Sequence, residues 1–271
     1  MVVKVAVVGA SGKLGRVISA VIDEEDDFEV VARLGSTSDL DEMLPADVVV
    51  DVTVPGVSQG IVDHAVRAGK KVLIGTSGWS ADRVAGLERV VAETPGAAVI
   101  VIPNFSIGSV LATTFATMAA RYFDSIEIVE AHAASKIDSP SGTAVRTAEL
   151  IAAARSHLGP VSAPHTDQRA RGQQVASVPV HSLRLSGVVA KQDVVFGGTG
   201  EVLTLTHETI SPSAYQTGIR IALRAVAAAE GVTVGLDRLI GLTTAPAAPR
   251  AGGSAPENVS GQAAEATTVD R

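Results

Sequence analysis

The chain has 271 residues and a formal net charge of −7, which argues against a general nucleic-acid or anionic-membrane surface. Hydrophobic residues make up 46% of it and aromatics only 3%, so its core is built from small branched side chains, as in many α/β sheets. It has no cysteine, which excludes disulfides, thiolate catalysis and Cys-type zinc sites. No apolar run approaches the ~20 residues needed to span a bilayer. The N-terminus enters a strand directly, without a signal-peptide pattern. The expectation is a cytoplasmic α/β protein that binds neither membrane nor nucleic acid.

Val2 to Val8 is a β-branched run ending at Gly9 and reads as a buried parallel strand. Gly9-Ala10-Ser11-Gly12-Lys13-Leu14-Gly15 follows, then a helical pattern through Val17, Ile18, Val21 and Ile22, then a second strand from Phe28 to Leu34. In that context the glycines are a dinucleotide-binding signal, because they permit a tight turn and let a pyrophosphate approach the helix start. An ordinary strand–helix turn is the plain alternative.

The alternation continues with strands over 47–52, 71–74 and 97–102 and helices over 56–68 and 80–92, Ser80 serving as a helix cap. This predicts a doubly wound parallel sheet with its ligand at the C-terminal strand ends. The turns through Asp51–Pro55, Gly75–Gly78 and Pro103–Ser106 are placed on the same edge as the glycine loop.

The pattern changes near residue 105. A helix over 107–122 precedes the alternating run Ser125-Ile126-Glu127-Ile128-Val129-Glu130 and then Ala131-His132-Ala133-Ala134-Ser135-Lys136-Ile137-Asp138-Ser139-Pro140-Ser141-Gly142-Thr143, which opens a helix. A helix N-terminus has unpaired N–H groups, Gly142 allows close approach, and Ser141 and Thr143 flank it, so the junction has the parts of an anion site. His132 adds a titratable acid/base and Lys136 a fixed charge. The plain alternative is a surface loop in which Ser141 only caps the helix and Lys136 is solvated.

Residues 156–177 read as a long loop. Strands follow over 178–189, 192–196 and 201–207, with Gly197–Gly200 as a hairpin turn, and a helix spans 213–229. The predicted organisation is a Rossmann-type domain over 1–104 and a substrate-binding and oligomerisation domain over 105–212 on a mainly antiparallel sheet. Residues 213–242 return to the first domain, and a disordered tail covers 243–271. His64, His157, His165, His181 and His207 lack ligand spacing, so no metal is expected.

Taken together, Gly9–Gly15, Gly75-Thr76-Ser77-Gly78, Pro103-Asn104-Phe105-Ser106-Ile107-Gly108 and Lys136-Ile137-Asp138-Ser139-Pro140-Ser141-Gly142-Thr143-Ala144 resemble the motifs of the 4-hydroxy-tetrahydrodipicolinate reductase (dihydrodipicolinate reductase) family. Arg184-x-x-Gly187 and Gln192-x-Val194-x-Phe196-Gly197 extend the match, which runs from about Val2 to Leu242. The resemblance implies NAD(P)H-dependent reduction of a cyclic imine dicarboxylate in lysine and diaminopimelate synthesis, by a homotetramer. It implies that His132 is the acid/base, that Lys136 is the proton donor and charge partner, and that Ser141, Gly142 and Thr143 hold a substrate carboxylate. It also implies that Gly9, Ala10, Ser11, Gly12, Lys13, Leu14 and Gly15 hold the pyrophosphate. Gly75, Thr76 and Ser77, with Ile102, Pro103, Asn104 and Phe105, would border the nicotinamide.

The chain departs from the family pattern at Ala133, Ser135, Lys191 and Pro212. These positions leave open a relative reducing another cyclic imine, or a non-catalytic nucleotide-binding relative. Gly35 stands where an acidic residue favours NADH, and Arg33, Ser36, Thr37 and Lys13 could serve a 2′-phosphate. The expected cofactor is therefore NADPH in preference to NADH.

Overall fold

The computed structural model describes residues 2–242, so the predicted tail lies outside the described residues. Five strands, β1 (Val3–Val8), β2 (Phe28–Leu34), β3 (Val48–Asp51), β4 (Lys71–Ile74) and β5 (Ala98–Val101), alternate with three helices, α1 (Lys13–Asp23), α2 (Pro55–Arg67) and α3 (Ala81–Glu93). The strands pair in parallel. All four residues of β3 and of β5 are buried, which is why β5 is continuously apolar and β3 is apolar up to Asp51, without alternation. Pro55 starts α2, where its missing N–H leaves no intrahelical bond unmade. Ser80 caps α3 by accepting from the Arg83 N–H.

After α4 (Ile107–Ala119) the chain builds a second sheet from β6 (Ser125–Ala133), β7 (Gln173–Val175), β8 (Val178–Leu185), β9 (Ala190–Gly198) and β10 (Glu201–Thr209), with α5 (Gly142–Ala154) between β6 and β7. Its order is β10-β9-β6-β8-β7. Only β6 and β8 run parallel, and the other pairs are antiparallel. Ile126, Ile128, Val180, Val194 and Phe196 on one face pack with Ala144, Ala148 and Ile151 of α5. Leu183, Leu185 and Val202, on the opposite face by alternation, are exposed.

The chain then returns. α6 (Gln216–Ala227) buries Ile219, Ala222, Leu223 and Val226 in the same core as Val5, Val7 and Phe105. Burial of a side chain the size of Ile, Leu or Val contributes about 1.5–3 kcal/mol, so this seam is a substantial part of the first core. Gly218 lies so close to the Phe105 carbonyl that a Cβ would stand 2.0 Å from its oxygen. β11 (Gly231–Val234) then adds to the edge of the first sheet, parallel to β5, and α7 (Leu236–Leu239) closes the described chain.

The structure departs from the sequence reading at several places in the second half of the chain. The predicted loop over 156–177 contains a one-turn helix at Arg169–Arg171 and the short strand β7. The strand β11 was not anticipated, because four residues give too short a run for a period to register. The predicted run 178–189 also divides, with β8 ending at Leu185 before a turn at Gly187 in the left-handed region.

Candidate active site

Two features prepare the glycine loop for an anion. Gly9 has φ +88°, and a Cβ there would meet the Val52 carbonyl oxygen at 2.5 Å, while a Cβ on Gly15 would meet the Gly9 oxygen at 2.2 Å. The cradle therefore tolerates no side chain at either position. At Gly12, the N-cap of α1, no side chain caps the helix, so its first N–H groups are left for a ligand. Ser11 and Lys13 are exposed beside them, and Ala10 and Leu14 are half-buried. These residues fit a dinucleotide pyrophosphate.

The Gly9 and Ala10 N–H groups both donate to the Leu34 carbonyl, which brings the end of β2 against the loop. Gly35, Ser36 and Thr37 are exposed there. In the ligand-free protein the Arg33 guanidinium pairs with Asp23, the last residue of α1, at 3.0 Å from each carboxylate oxygen. Alternation sends Arg33 and its neighbour Leu34 to opposite faces, and Leu34 is the one that is buried.

At the next strand ends, Thr76 is buried, accepts from the Thr53 N–H at 2.8 Å and donates to the Asp51 carbonyl at 3.3 Å. Asp51 is fully buried and accepts from the hydroxyls of Thr53 and Ser58, and Ser58 in turn accepts from the Trp79 indole N–H. This network fixes the turn carrying Gly75 and the exposed Ser77. A Cβ on Gly75 would stand 2.8 Å from the Phe105 ring, so the turn lies directly on that side chain. Ile102 and Phe105 point into the core, leaving backbone for any ligand contact, while Pro103 is exposed. Asn104 bridges both halves of the molecule. Its Nδ2 lies 3.0 Å from Ser109 Oγ and 3.5 Å from Thr143 Oγ1, and its Oδ1 accepts from the Ser106 N–H.

A cavity between the two sheets is lined by Asn104, Ser109, His132, Ser141, Thr143 and Gln192, among others. His132 is near the end of β6, on the same face as Glu130 by strand alternation. Glu130 is fully buried, and it organises the site. Its carboxylate accepts from His132 Nδ1 at 2.5 Å, from both terminal nitrogens of Arg184 at 3.0 Å, and from the Ser141 N–H at 3.2 Å. Burial alone raises the carboxyl's pKa, but hydrogen bonds from Arg184, Ser182 and His132 outweigh it and hold the group below the ordinary carboxylate range. An ionised carboxylate only accepts, so His132 Nδ1 carries the proton and Nε2 is the nitrogen left for a substrate.

Ser141 Oγ caps α5 by accepting from the Ala144 N–H, as the plain reading of that residue expected. The cap leaves the N–H groups of Gly142 and Thr143 unused by Ser141, and nothing lies within 4 Å of where a Gly142 Cβ would be. That open helix start fits a carboxylate. Lys136 is placed differently. Its Nζ pairs with Asp138 at 2.8 Å, and it is not among the residues lining the cavity. Ala133 and Ser135 also lie outside that lining. Lys191 does contribute to the wall, but its ammonium pairs with Asp193 at 3.1 Å, and alternation turns it away from the face that Gln192 occupies.

Sequence reasoning missed Glu130 as an organiser, and it missed Arg184, Gln192 and His207. His207 lines the cavity, with Nε2 3.2 Å from Ser106 Oγ, and burial pushes its pKa down, so it is uncharged at neutral pH. A Cβ on Gly108 would meet that imidazole at 2.8 Å, which explains the glycine at the start of α4. The one available signal for Glu130 was an acidic residue at a core-facing position of an alternating strand.

Residues 3–105 match the family described as Dihydrodipicolinate reductase, N-terminus, and residues 108–240 match Dihydrodipicolinate reductase, C-terminus. The chain is 60% identical over 274 residues to the 4-hydroxy-tetrahydrodipicolinate reductase of Clavibacter sepedonicus, with 99% of each chain covered. To the enzyme of that name from Streptomyces griseus subsp. griseus it is 42% identical over 247 residues, covering 88% of this chain and 98% of the relative. The solved structure of dipicolinate-bound dihydrodipicolinate reductase from Paenisporosarcina sp. TG-14 matches with a TM-score of 0.72 at 27% identity, covering 88% of this chain and 99% of that one. GenD2 from gentamicin A biosynthesis, in complex with NAD, shares the fold at a TM-score of 0.57 and 16% identity.

Proposed function

The chain belongs to the dihydrodipicolinate reductase family, and from that membership we propose that the cavity around His132 is the seat of its reaction. The protein is a nicotinamide-dependent reductase that converts 4-hydroxy-tetrahydrodipicolinate to tetrahydrodipicolinate in lysine and diaminopimelate synthesis. The observation that carries the assignment of the site is the Glu130–His132 pair, set in the same cavity as the open start of α5. The proposed division of labour follows from the donors present. Gly142 and Thr143 N–H groups, with the Thr143 hydroxyl, hold a substrate carboxylate. The 4-hydroxyl is lost as water, and His132 Nε2, having taken up a proton from solvent, passes it to the ring as hydride is added, while the Nδ1 proton stays with Glu130. Lys136 supplies positive charge once Asp138 releases it, and their exposed pairing, worth less than about 1 kcal/mol, is weak enough to be exchanged. The bound dinucleotide supplies the hydride. Ala133 lies outside the cavity lining, which favours the family's substrate over another imine. Steady-state turnover with enzymatically generated 4-hydroxy-tetrahydrodipicolinate tests the reading against a panel of other cyclic imines, and faster reduction of any other imine would overturn it.

Thr143→Val is expected to weaken dipicolinate binding by about 1.5–3 kcal/mol, the usual worth of a hydrogen bond to a charged group, and to leave NADPH binding unchanged. Titration of both ligands into the variant checks this. Equal losses for the two would show that the hydroxyl acts on the fold.

The cofactor preference is proposed as NADPH over NADH. Gly35 removes the carboxylate that would repel a 2′-phosphate, and Ser36, Thr37 and Lys13 are exposed beside the loop. The Arg33–Asp23 pair is exposed on both sides and can be drawn off by a phosphate. Nothing lies within 4 Å of a Cβ at Gly35, so Gly35→Asp adds the missing charge without a clash. That variant is expected to shift the kcat/KM ratio toward NADH by about tenfold or more, since like-charge juxtaposition costs up to several kcal/mol. A clear NADH preference in the unmodified protein would overturn the assignment.

We further propose a homotetramer in the cytoplasm, assembled through the exposed apolar face that bears Leu183, Leu185 and Val202. Light scattering on the unmodified chain and on Leu183→Glu measures this.

A further inference from the structure

Gln192 lies on the helix-facing side of β9, in one row with the buried Val194 and Phe196, and is only 9% exposed. Its Nε2 donates to Thr147 Oγ1 at 3.1 Å. Proton counting fixes that orientation. Thr147 Oγ1 lies 2.8 Å from the Thr143 carbonyl, which can only accept, so the single hydroxyl proton of Thr147 points there. Thr147 must therefore accept from Gln192, and also from the Thr113 hydroxyl 3.1 Å away. An amide turned the other way would set two acceptors against each other. Gln192 Oε1 consequently faces away from α5, and it is buried with no hydrogen-bond partner. Leaving a buried acceptor unpaired is unfavourable, and such a group calls for a donor that arrives from elsewhere.

The position of the atom says what that donor is. Gln192 lines the cavity that His132, Asn104 and Thr143 also line, and it is the direct cross-strand partner of Glu130, diagonal to His132. A substrate carboxylate has no proton to give at neutral pH, and the open start of α5 already suits it. What remains on a cyclic dicarboxylate is a donor on the ring itself. We propose that Gln192 Oε1 is a specificity-determining acceptor that takes a hydrogen bond from the ring of the bound ligand, from either a protonated ring nitrogen or a ring hydroxyl. This rests on the reading that the cavity holds a cyclic dicarboxylate. The contact favours partly saturated or hydroxylated rings over the fully aromatic, unprotonated one, which offers Gln192 only acceptors.

Three probes test it as competitive inhibitors of the full-length protein. Dipicolinate has no ring donor, 4-hydroxypyridine-2,6-dicarboxylate has one at the 4-position, and piperidine-2,6-dicarboxylate has one at nitrogen. Each is measured on the native protein and on Gln192→Leu and Gln192→Met. Both variants are expected to weaken one donor-bearing probe by about tenfold relative to dipicolinate, as loss of one buried hydrogen bond does. Dipicolinate and NADPH affinities should stay where they were, and the probe that responds identifies the ring atom. If the variants weaken all three probes alike, or none, the proposal is overturned while the cavity assignment stands. If neither donor-bearing probe binds the native protein more tightly than dipicolinate, it is overturned without any variant. If no probe binds the native protein, the cavity assignment itself fails.

Discussion

His132→Gln is expected to lower turnover by about 100-fold or more while leaving NADPH affinity nearly unchanged, because general acid–base groups contribute about 10²–10⁴-fold. The reasoning is geometric. Glutamine can keep a hydrogen bond to Glu130, but it has no ring nitrogen that moves a proton at neutral pH. The glycine loop proposed for the cofactor follows β1 of the first sheet, whereas His132 is on β6 of the second, so binding and chemistry should separate. Lys136→Ala should also reduce turnover strongly, although its ammonium pairs with Asp138 in the ligand-free protein. Single-turnover kinetics with saturating substrate distinguishes loss of chemistry from loss of binding. Near-normal rates in both variants would remove the catalytic assignment.

The second large effect is expected at Glu130. Removing one partner of a buried, hydrogen-bonded ion pair leaves the other without compensation and typically destabilises by about 3–5 kcal/mol. Glu130→Ala does this to Arg184, whose side chain is only 20% exposed, and it also releases His132 and the Ser141 N–H. Denaturant unfolding should show the loss at neutral pH. The dependence on pH has a definite sign. The folded protein holds the Glu130 pKa below its model-peptide value of 4.5, so its contribution is present above that value. The contribution is lost as pH falls through the lower folded-state pKa. Glu127, lowered despite burial through Arg171 and His181, and Asp138, lowered despite burial through Lys136, act in the same direction. The native protein should therefore lose stability on acidification below about pH 4.5 more steeply than Glu130→Ala does. Parallel pH–stability curves for the two would contradict this.

Most of the first domain was legible because each of its signals is local. A β-branched run, a glycine turn and an amphipathic helix repeat along the chain, and β2 and β4 fall where the residues place them. The N-caps Ser80 and Ser141 were legible for the same reason. What was not legible depends on pairings across long stretches of sequence. Glu130 meets Arg184 from 54 residues away, and nothing local to either residue announces it. His207 reaches Ser106 across 101 residues, so it read as one more scattered histidine. The pairing of Arg33 with Asp23 was likewise not legible, because it depends on strand alternation and on an acidic partner at the far end of α1. Of the departures, Ala133 lies outside the cavity lining, whereas Lys191 is part of the wall with its ammonium turned to Asp193, a distinction that only the strand faces make.

The return of α6 and β11 to the first sheet has a consequence for how the protein is made. The dinucleotide-binding half cannot be completed when its own contiguous residues have left the ribosome, because Ile219, Leu223 and Val226 must still cover Val5, Val7 and Phe105. From Phe105 to the completion of Leu236 takes 131 further residues of synthesis, which at about 5–20 residues per second is a delay of roughly 7–26 s. During that interval an apolar sheet face and the open edge of β5 stand uncovered. Uncovered apolar surface and an unpaired strand edge make such an intermediate prone to aggregate, and a product ending before Gln216 lacks the helix that covers the first core.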